Sequence, residues 1–351
     1  MKTNDKIAII GPYPPPYGGI SVHVQRVLQY LSENQYVFFN SSKTRFKGDV
    51  SFYGKIKYIK VWIFLFRRFK LIHAHTTDPF LRILLGIIGQ FRKNIYLHVQ
   101  GASLTDYMNK TGIIAFSLRK LVRNFHIIAS NSSIAAEIQK YQPLSICEID
   151  AFLPPKFDLS VFHSVINKYK NFFRPNRFIV SITGWFNDYL DEDLYGFDIA
   201  IRVIEKINKE GNEIYLAISV NGINNTKLFK SFIDYIQKHD LHEQVLLIRE
   251  ELKEIWPIFM ASQLFIRPTN TDGSAVSIKE ALWFNTPVIA SDCVPRPKGV
   301  ILFKNRSIDD LYDKISDIYH QPLLAITEKI EKLSGKMYNY KLFTEIYELS
   351  G

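Results

Sequence analysis

The stretch that most constrains this chain runs from residue 265 to residue 303, FIRPTNTDGSAVSIKEALWFNTPVIASDCVPRPKGVILF. FIRP reads as the end of a strand and TNTDGS as turn chemistry. AVSIKEALWF carries Val276, Ile278, Ala281 and Leu282 at helical spacing, and PVIAS reads as the next strand. Strand, turn, helix and strand in that order predict a βαβ unit and hence a parallel sheet. In such sheets ligands bind beyond the carboxyl ends of the strands. There the backbone N–H groups of Gly273, Ser274, Ala275 and Val276 would point outward from the positive end of a helix dipole, an environment suited to phosphate. Asp272 and Glu280 bracket that point. Carboxylates on either side of free backbone donors are the layout of a site for a sugar joined to a diphosphate. A second reading is an N-terminal Asp that balances the helix dipole and a solvated Glu further on.

At about 150 residues per domain, 351 residues predict two domains, each able to bury its own core. Two cysteines, Cys147 and Cys293, make neither a disulfide framework nor a paired metal motif, which fits a reducing compartment. The opening MKTNDKIAII has too short an apolar run for a signal peptide core, and VWIFLF and ILLGII fall far below the ~20 residues of a membrane span. A cytoplasmic location is expected.

Charge is uneven. Residues 1–174 hold 24 Lys and Arg against 9 Asp and Glu, a net of +15, while the remaining 177 hold 20 against 25, a net of −5. Much of the positive charge lies in YGKIKYIKVWIFLFRRFK, where Lys55, Lys57, Lys60, Arg67, Arg68 and Lys70 flank and interrupt an aromatic, apolar run. Such a segment suits an anionic lipid surface, at about 1 kcal/mol per basic residue. It also suits an internal helix with a solvated basic face. No recognition helix, zinc finger or RNA-binding aromatic motif accompanies the charge, so no nucleic acid partner is expected.

From the start, KIAIIGPYPPPYGGISVHVQRVLQYL reads as a strand, a loop rich in Pro and Gly, and a helix from about Ser21. Gly18 and Gly19 let backbone approach a ligand and permit positive φ, but the dinucleotide fingerprint is absent. KLIHAHTTDPF and NIYLHVQG end strands with His73, His75 and His98. His73 and His75 share a strand face as a metal pair does, yet no third ligand follows at ligand spacing, and no metal site is expected. Ser132 or Ser133 is the expected cap of the helix after IIASN. Pro154, Pro155 and Pro175, with no sustained periodicity between them, mark a crossover; FIVSITGW opens the second half.

The acid, seven residues and Glu of DGSAVSIKE, followed by EAL and PVIAS, resemble the signature of family 4 retaining glycosyltransferases with the GT-B fold. The stretch is most similar to a branch reading RPT..DG.SVSI.EAL, common in enzymes of bacterial surface polysaccharide synthesis such as O-antigen or capsule. The resemblance implies an α/β chain with two Rossmann-like domains facing a cleft. It divides the sequence into an acceptor-side domain over 1–157, joined by a closing helix over 335–351, a linker over 158–176 and a nucleotide-sugar domain over 177–334. By the same resemblance Asp272 touches donor-sugar hydroxyls and Glu280 binds the ribose. Gly18, Gly19 and Gly184 line the donor, and His98 hydrogen-bonds the sugar. The implied activity is metal-independent, retaining transfer of a hexose-type sugar from a nucleotide diphosphate donor to a lipid-linked saccharide, with no cofactor, on the inner face of the plasma membrane.

One departure stands out. The family's GR and KG pairs, whose cations neutralise the departing diphosphate, read here as Gly184–Trp185 and Tyr195–Gly196. Arg267 and Arg296 are the best placed substitutes; they equally suit a structural role, holding the carbonyls of the turn. Lys279 is a third candidate. Two other functional classes remain open: a non-catalytic partner of another transferase, and a nucleotide-sugar epimerase. The latter should carry catalytic acids in the first half, where no cluster appears. A nicotinamide-dependent oxidoreductase would need the missing glycine fingerprint.

Overall fold

The computed structural model describes residues 6–15, 17–272, 275–321, 328, 329 and 332. It divides into two compact units between Leu153 and Pro154. The closing helix expected over 335–351 lies outside the described residues.

The first unit is one parallel sheet of seven strands in the order β3-β2-β1-β4-β5-β6-β7. The strands are β1 (Ile7–Gly11), β2 (Tyr36–Asn40), β3 (Val50–Ser51), β4 (Ile72–Ala74), β5 (Ile95–Val99), β6 (His126–Ala129) and β7 (Ser145–Glu148). The helices are α1 (Gly19–Tyr30), α2 (Ile56–Lys60), α3 (Ile63–Phe66), α4 (Pro79–Ile88), α5 (Ser103–Met108), α6 (Ile113–Leu121) and α7 (Ser132–Gln139). Period-2 alternation sends Ala8, Ile10, Ile72, Ala74, Leu97 and Val99 to one face and Ile7, Ile9, Leu71 and Ile128 to the other, where Val24, Val27 and Leu28 of α1 cover them. The cap of α7 is Asn131, whose side chain accepts from Ile134 N–H at 2.9 Å, and not Ser132 or Ser133. Its extended backbone aims the amide oxygen at the helix start, while both serines already lie inside the first turn.

The basic, aromatic segment combines both of its expected forms. Val61 and Phe64 are fully buried, and Phe64 packs 4.9 Å from Phe39, so one side belongs to the core. Ile59 (74 % exposed) and Phe66 (84 %) stand outward, together with Lys55, Arg67 and Arg68. Lys57 is not part of that outward set: it pairs with Asp78, which also accepts from Tyr58 Oη (2.8 Å) and, as the cap of α4, from Phe80 N–H at 2.9 Å.

The second unit is a parallel sheet in the order β12-β11-β8-β13-β14-β15, with a small antiparallel ribbon. Its strands are β8 (Phe178–Phe186), β11 (Ile214–Ile223), β12 (Val245–Ile248), β13 (Leu264–Arg267), β14 (Val288–Ser291) and β15 (Val300–Phe303); β9 (Asp188–Tyr189) and β10 (Glu192–Asp193) form the ribbon. Helices α9 (Phe197–Lys209), α10 (Thr226–Lys238) and α13 (Ile308–Tyr319) contribute to the core on one face. On the other lie α11 (Trp256–Ala261) and α12 (Val276–Trp283). The stretch 158–176, read from sequence as connecting chain, contains α8 (Leu159–Lys168). Asp158 caps α8 by accepting from Ser160 N–H at 2.8 Å, and Phe162 packs beside Trp256, so short periodicity between prolines is enough for a helix once a core receives it.

Because Asp78 caps α4 and also receives Lys57 and Tyr58, Asp78→Ala removes one cap and two tethers of α2. Urea unfolding should show a loss of about 1–2 kcal/mol. An unchanged midpoint would mean that α2 is held by its apolar side alone.

Candidate functional site

In both sheets the first strand of the unit marks where the strand order reverses, between β1 and β4 and between β8 and β13. In open α/β sheets this is where ligands bind, beyond the carboxyl ends. Each unit carries an unusual cluster at that place.

In the second unit, β13 ends at Arg267 and the chain turns through Thr269 to Asp272 before α12. Arg267 donates Nε–H and Nη2–H to Asp272 Oδ2 and Oδ1, both at 3.0 Å, and Nη1–H to the Thr183 carbonyl of β8 at 3.2 Å. Arg296, in the loop after β14, donates to Asp272 Oδ2 at 2.7 Å and to the Ser291 carbonyl at 2.9 Å. Its Nη2 reaches Thr269 Oγ1 (3.0 Å) and Ser291 Oγ (3.1 Å). Arg296 is 2 % exposed by side chain and Asp272 8 %. Burial works against the Asp272 carboxylate, but Arg267 and then Arg296 outweigh it and hold Asp272 below its ordinary range. Burial likewise opposes the Arg267 charge, and the carboxylate restores it. Two guanidiniums around one carboxylate leave the cluster with a formal charge of +1. Lys279, the third candidate, stands in the first turn of α12.

Trp185 and Tyr195 have definite places. The Trp185 ring lies over Gly222, where an added Cβ would come within 2.1 Å of it. The Tyr195 ring lies over Gly184, where a Cβ would come within 2.2 Å. Packing alone thus demands glycine at 184, whatever its part in the donor site that the resemblance implies. Arg267 stacks its guanidinium 5.0 Å from the centre of the Tyr195 ring, so a cation stands beside this aromatic residue. Gly196, at φ +71°, begins α9, and a Cβ there would strike the Pro268 carbonyl at 2.2 Å.

Ala275 precedes α12 with no side-chain cap, and Val276 is its first residue. Gly273 and Ser274 lie outside the described residues. Glu280 is only 3 % exposed, not solvated as the dipole-balancing reading required, because it lies in the second turn of α12 among Ile278 and Ala281, which face the core.

Sequence reasoning missed Asp193. Its carboxylate accepts from Tyr195 N–H (3.0 Å) and Asp198 N–H (3.1 Å), fixing the turn into α9. Burial, and next the Asp198 carboxylate, push it up to about 6. Arg306 takes Asp198 in a two-pronged pair at 2.9 and 2.6 Å. A DED run in a loop is the only sequence signal, and nothing in it marks which acid is buried.

In the first unit, Gly18 is extended at φ −138°, and its N–H donates to Ser21 Oγ at 2.9 Å. A Cβ on Gly19 would meet nothing within 4 Å, and neither glycine has positive φ. Within the described residues, packing does not demand either glycine. His98 is buried with His23, His73 and His75, its ring stacked on His73 at 5.6 Å and edge-on to His23 at 4.7 Å. Burial is the leading cause that lowers all four below the usual imidazole value, His23 to about 4 and His73 to about 3.

Two measurements follow. Asp272→Ala leaves two buried guanidiniums without their carboxylate and should destabilise the second unit by about 3–5 kcal/mol in urea; a loss under about 1 kcal/mol would show the triad to be solvated. For Asp193 the folded value lies above the ordinary 3.8. The favourable contribution is therefore complete below about pH 4 and disappears as pH rises through about 6. Relative to wild type, Asp193→Asn should gain up to about 3 kcal/mol between pH 4 and pH 7. A pH-independent difference would contradict this.

Residues 191–338 match the family model described as glycosyl transferases group 1. A search of curated proteins gave no match. Among solved structures, the chain is similar to HepE (Alr3699) of Anabaena in complex with UDP, at TM-score 0.69 and 14% identity over 98% of this chain and 99% of that one. It is also similar to sucrose-phosphate synthase of Thermosynechococcus elongatus (0.62, 13%, 98% and 98%). A third likeness is to the lipopolysaccharide outer core galactosyltransferase WaaB in its apo form (0.61, 14%, 99% and 100%). The chain thus has the α/β GT-B fold along its length, and its segment 191–338, which contains the Arg267–Asp272–Arg296 cluster, carries the match to group 1 glycosyl transferases.

Proposed function

We propose that the protein is a retaining glycosyltransferase that moves a hexose-type sugar from a nucleotide diphosphate donor to a hydroxyl of a lipid-linked saccharide in bacterial surface polysaccharide synthesis. The observation that carries this reading is the +1 cluster of Arg267, Asp272 and Arg296 at the reversal point of the second sheet, directly before an uncapped helix start and inside the matched segment. The HepE structures are complexes with UDP, with UDP and glucose, and with UDP-glucose, which makes a uridine diphosphate sugar the first donor to try.

In this proposal the diphosphate meets the N–H groups at the start of α12, including Ala275 and Val276, and the positive end of the helix. Arg267, beside the Tyr195 ring, and Arg296 supply the field that stabilises charge growing on the leaving group. Every donor-bearing nitrogen of Arg267 is already engaged, so it acts as a fixed charge and not as a mobile fork. Glu280 is assigned to the nucleotide ribose and the turn at Asp272 to the sugar. The bond from the anomeric carbon to the phosphate oxygen breaks, the acceptor oxygen bonds that carbon on the same face, and its proton passes to the departing phosphate. No carboxylate nucleophile or metal ion takes part in that step. His98, with both ring nitrogens buried, offers the sugar no exposed atom here, so the contact that the resemblance implied is left out.

A second reading, a non-catalytic partner of another transferase, is favoured by one observation: both arginines are already satisfied by Asp272 and neighbouring oxygens. Kinetics separate the two. With the donor selected by a thermal-shift panel of nucleotide diphosphates, Arg267→Met should cut turnover by about a hundredfold and weaken donor binding far less, since leaving-group charge peaks in the transition state. Turnover that survives the change removes Arg267 from the reaction. Binding without turnover by wild type, with every donor and acceptor tried, favours the partner reading.

Among the described residues no helix is long and apolar enough to cross a membrane. Ile59, Phe66, Lys55, Arg67 and Arg68 instead support a peripheral position on an anionic leaflet, the inner face of the plasma membrane in this proposal. Cosedimentation with anionic vesicles should fall when Lys55, Arg67 and Arg68 become Glu and when salt is added. Binding indifferent to both assigns the segment to a protein contact.

A further inference from the structure

Of the HAH pair only His75 joins a group at ligand spacing, and its two companions come from elsewhere in the fold. His75 follows the last residue of β4, with its N–H bonded to the Ile10 carbonyl of β1 at 2.7 Å. His98 lies in β5, and His23 reaches the same place from the second turn of α1. Their ring centres form a nearly equilateral triangle with sides of 4.7, 5.0 and 5.2 Å. One ring nitrogen of each lies within 4.8 Å of the other two. All three are buried, at the reversal point of the first sheet.

We propose that His23, His75 and His98 bind a divalent cation of the imidazole-preferring class, Zn²⁺ or Co²⁺, with a fourth position left to water. Two observations point to a ligand beyond packing. His75 is 1 % exposed, and neither of its nitrogens has a hydrogen-bond partner among the described residues, a donor and an acceptor both buried and unmet. His23 holds the Ala151 carbonyl through Nδ1 at 2.7 Å. A carbonyl only accepts, so Nδ1 carries the proton and Nε2 is left with its lone pair. A ligating histidine usually donates its other ring N–H in this way, to a backbone carbonyl or carboxylate that fixes its orientation.

Nitrogens about 2.0–2.1 Å from a tetrahedral ion stand about 3.3–3.4 Å apart, so binding draws the three rings inward by about an ångström. Asp150 acts on His23 in favour of positive charge, and the buried Arg26 acts against it. His73 packs against two members of the triangle, 4.1 Å from His75 and stacked on His98. The ion would tie β4, β5 and α1 together beneath the glycine loop. The inference is independent of glycosyl transfer, except that it gives His98 a partner other than sugar.

The test uses the untagged full chain, stripped by chelator, dialysed against Zn²⁺ or Co²⁺ and measured for bound metal. One equivalent is expected, with visible Co²⁺ bands of a four-coordinate site. Loss of an outer-shell partner weakens such sites by about 10–100-fold, so His75→Gln and His23→Gln, which remove ligands, should weaken binding by at least about a hundredfold. His163→Gln, on an exposed residue, should change nothing. In case the buried variants fold poorly, X-ray absorption of the loaded wild type should show three imidazole nitrogens at about 2.0–2.1 Å. No stoichiometric binding, binding that survives His75→Gln in a folded variant, loss on His163→Gln, or a shell without imidazole each overturns the proposal.

Discussion

One carboxylate held between two arginines organises the ligand end of the second unit. Asp272 receives Arg267 from the end of β13 and Arg296 from the loop after β14, and those arginines also grip the carbonyls of Thr183 and Ser291. Three neighbouring strands, β8, β13 and β14, are therefore tied together through the triad. A buried triad of this kind gains little net stability against its desolvation cost, but removing one member is expensive. Its value is geometric: it sets the turn ahead of α12 and leaves one unit of positive charge there. The aromatic rings of Trp185 and Tyr195 are accommodated by glycines, and Arg267 lies against one of them.

The first unit has a different chemistry on a similar frame. Its segment 53–70 divides between core and solvent: Phe64 completes an aromatic cluster with Phe39 and Phe69, while Ile59 and Phe66 remain outside among basic residues. At the reversal point of its sheet it buries four neutral histidines where the second unit buries an ion triad. Two parallel sheets thus use the same topological position, one filled with charge and one with imidazole.

Much of the fold was legible in the sequence because period-2 apolar runs alternate with helical periodicity, and burial on both faces of a parallel sheet leaves little choice. The βαβ unit around Asp272 appears with its strands and helix within a few residues of their expected places. Helix α8 was not legible, since its periodicity is short and its packing partner, Trp256, is some ninety positions away. The same separation hid the histidine cluster: spacing along one strand shows His73 and His75, but only the topology brings His23 and His98 to them. The arginines were located correctly as neighbours of the acidic turn, yet sequence left open whether they face a ligand or the turn. In the structure their donors go to Asp272 and adjacent oxygens, a choice made by distances of a few ångströms that no spacing encodes.

The central claim is that a nucleotide diphosphate binds at the carboxyl edge of the second sheet, on the turn and helix start that follow Arg267. Backbone hydrogen exchange, measured with and without saturating UDP or UDP-glucose, addresses it most directly. The account predicts slowed exchange concentrated over residues 269–280, strongest at the amides of Ala275 and Val276. Protection confined to residues before 154, or no protection at a concentration that saturates binding, would contradict it.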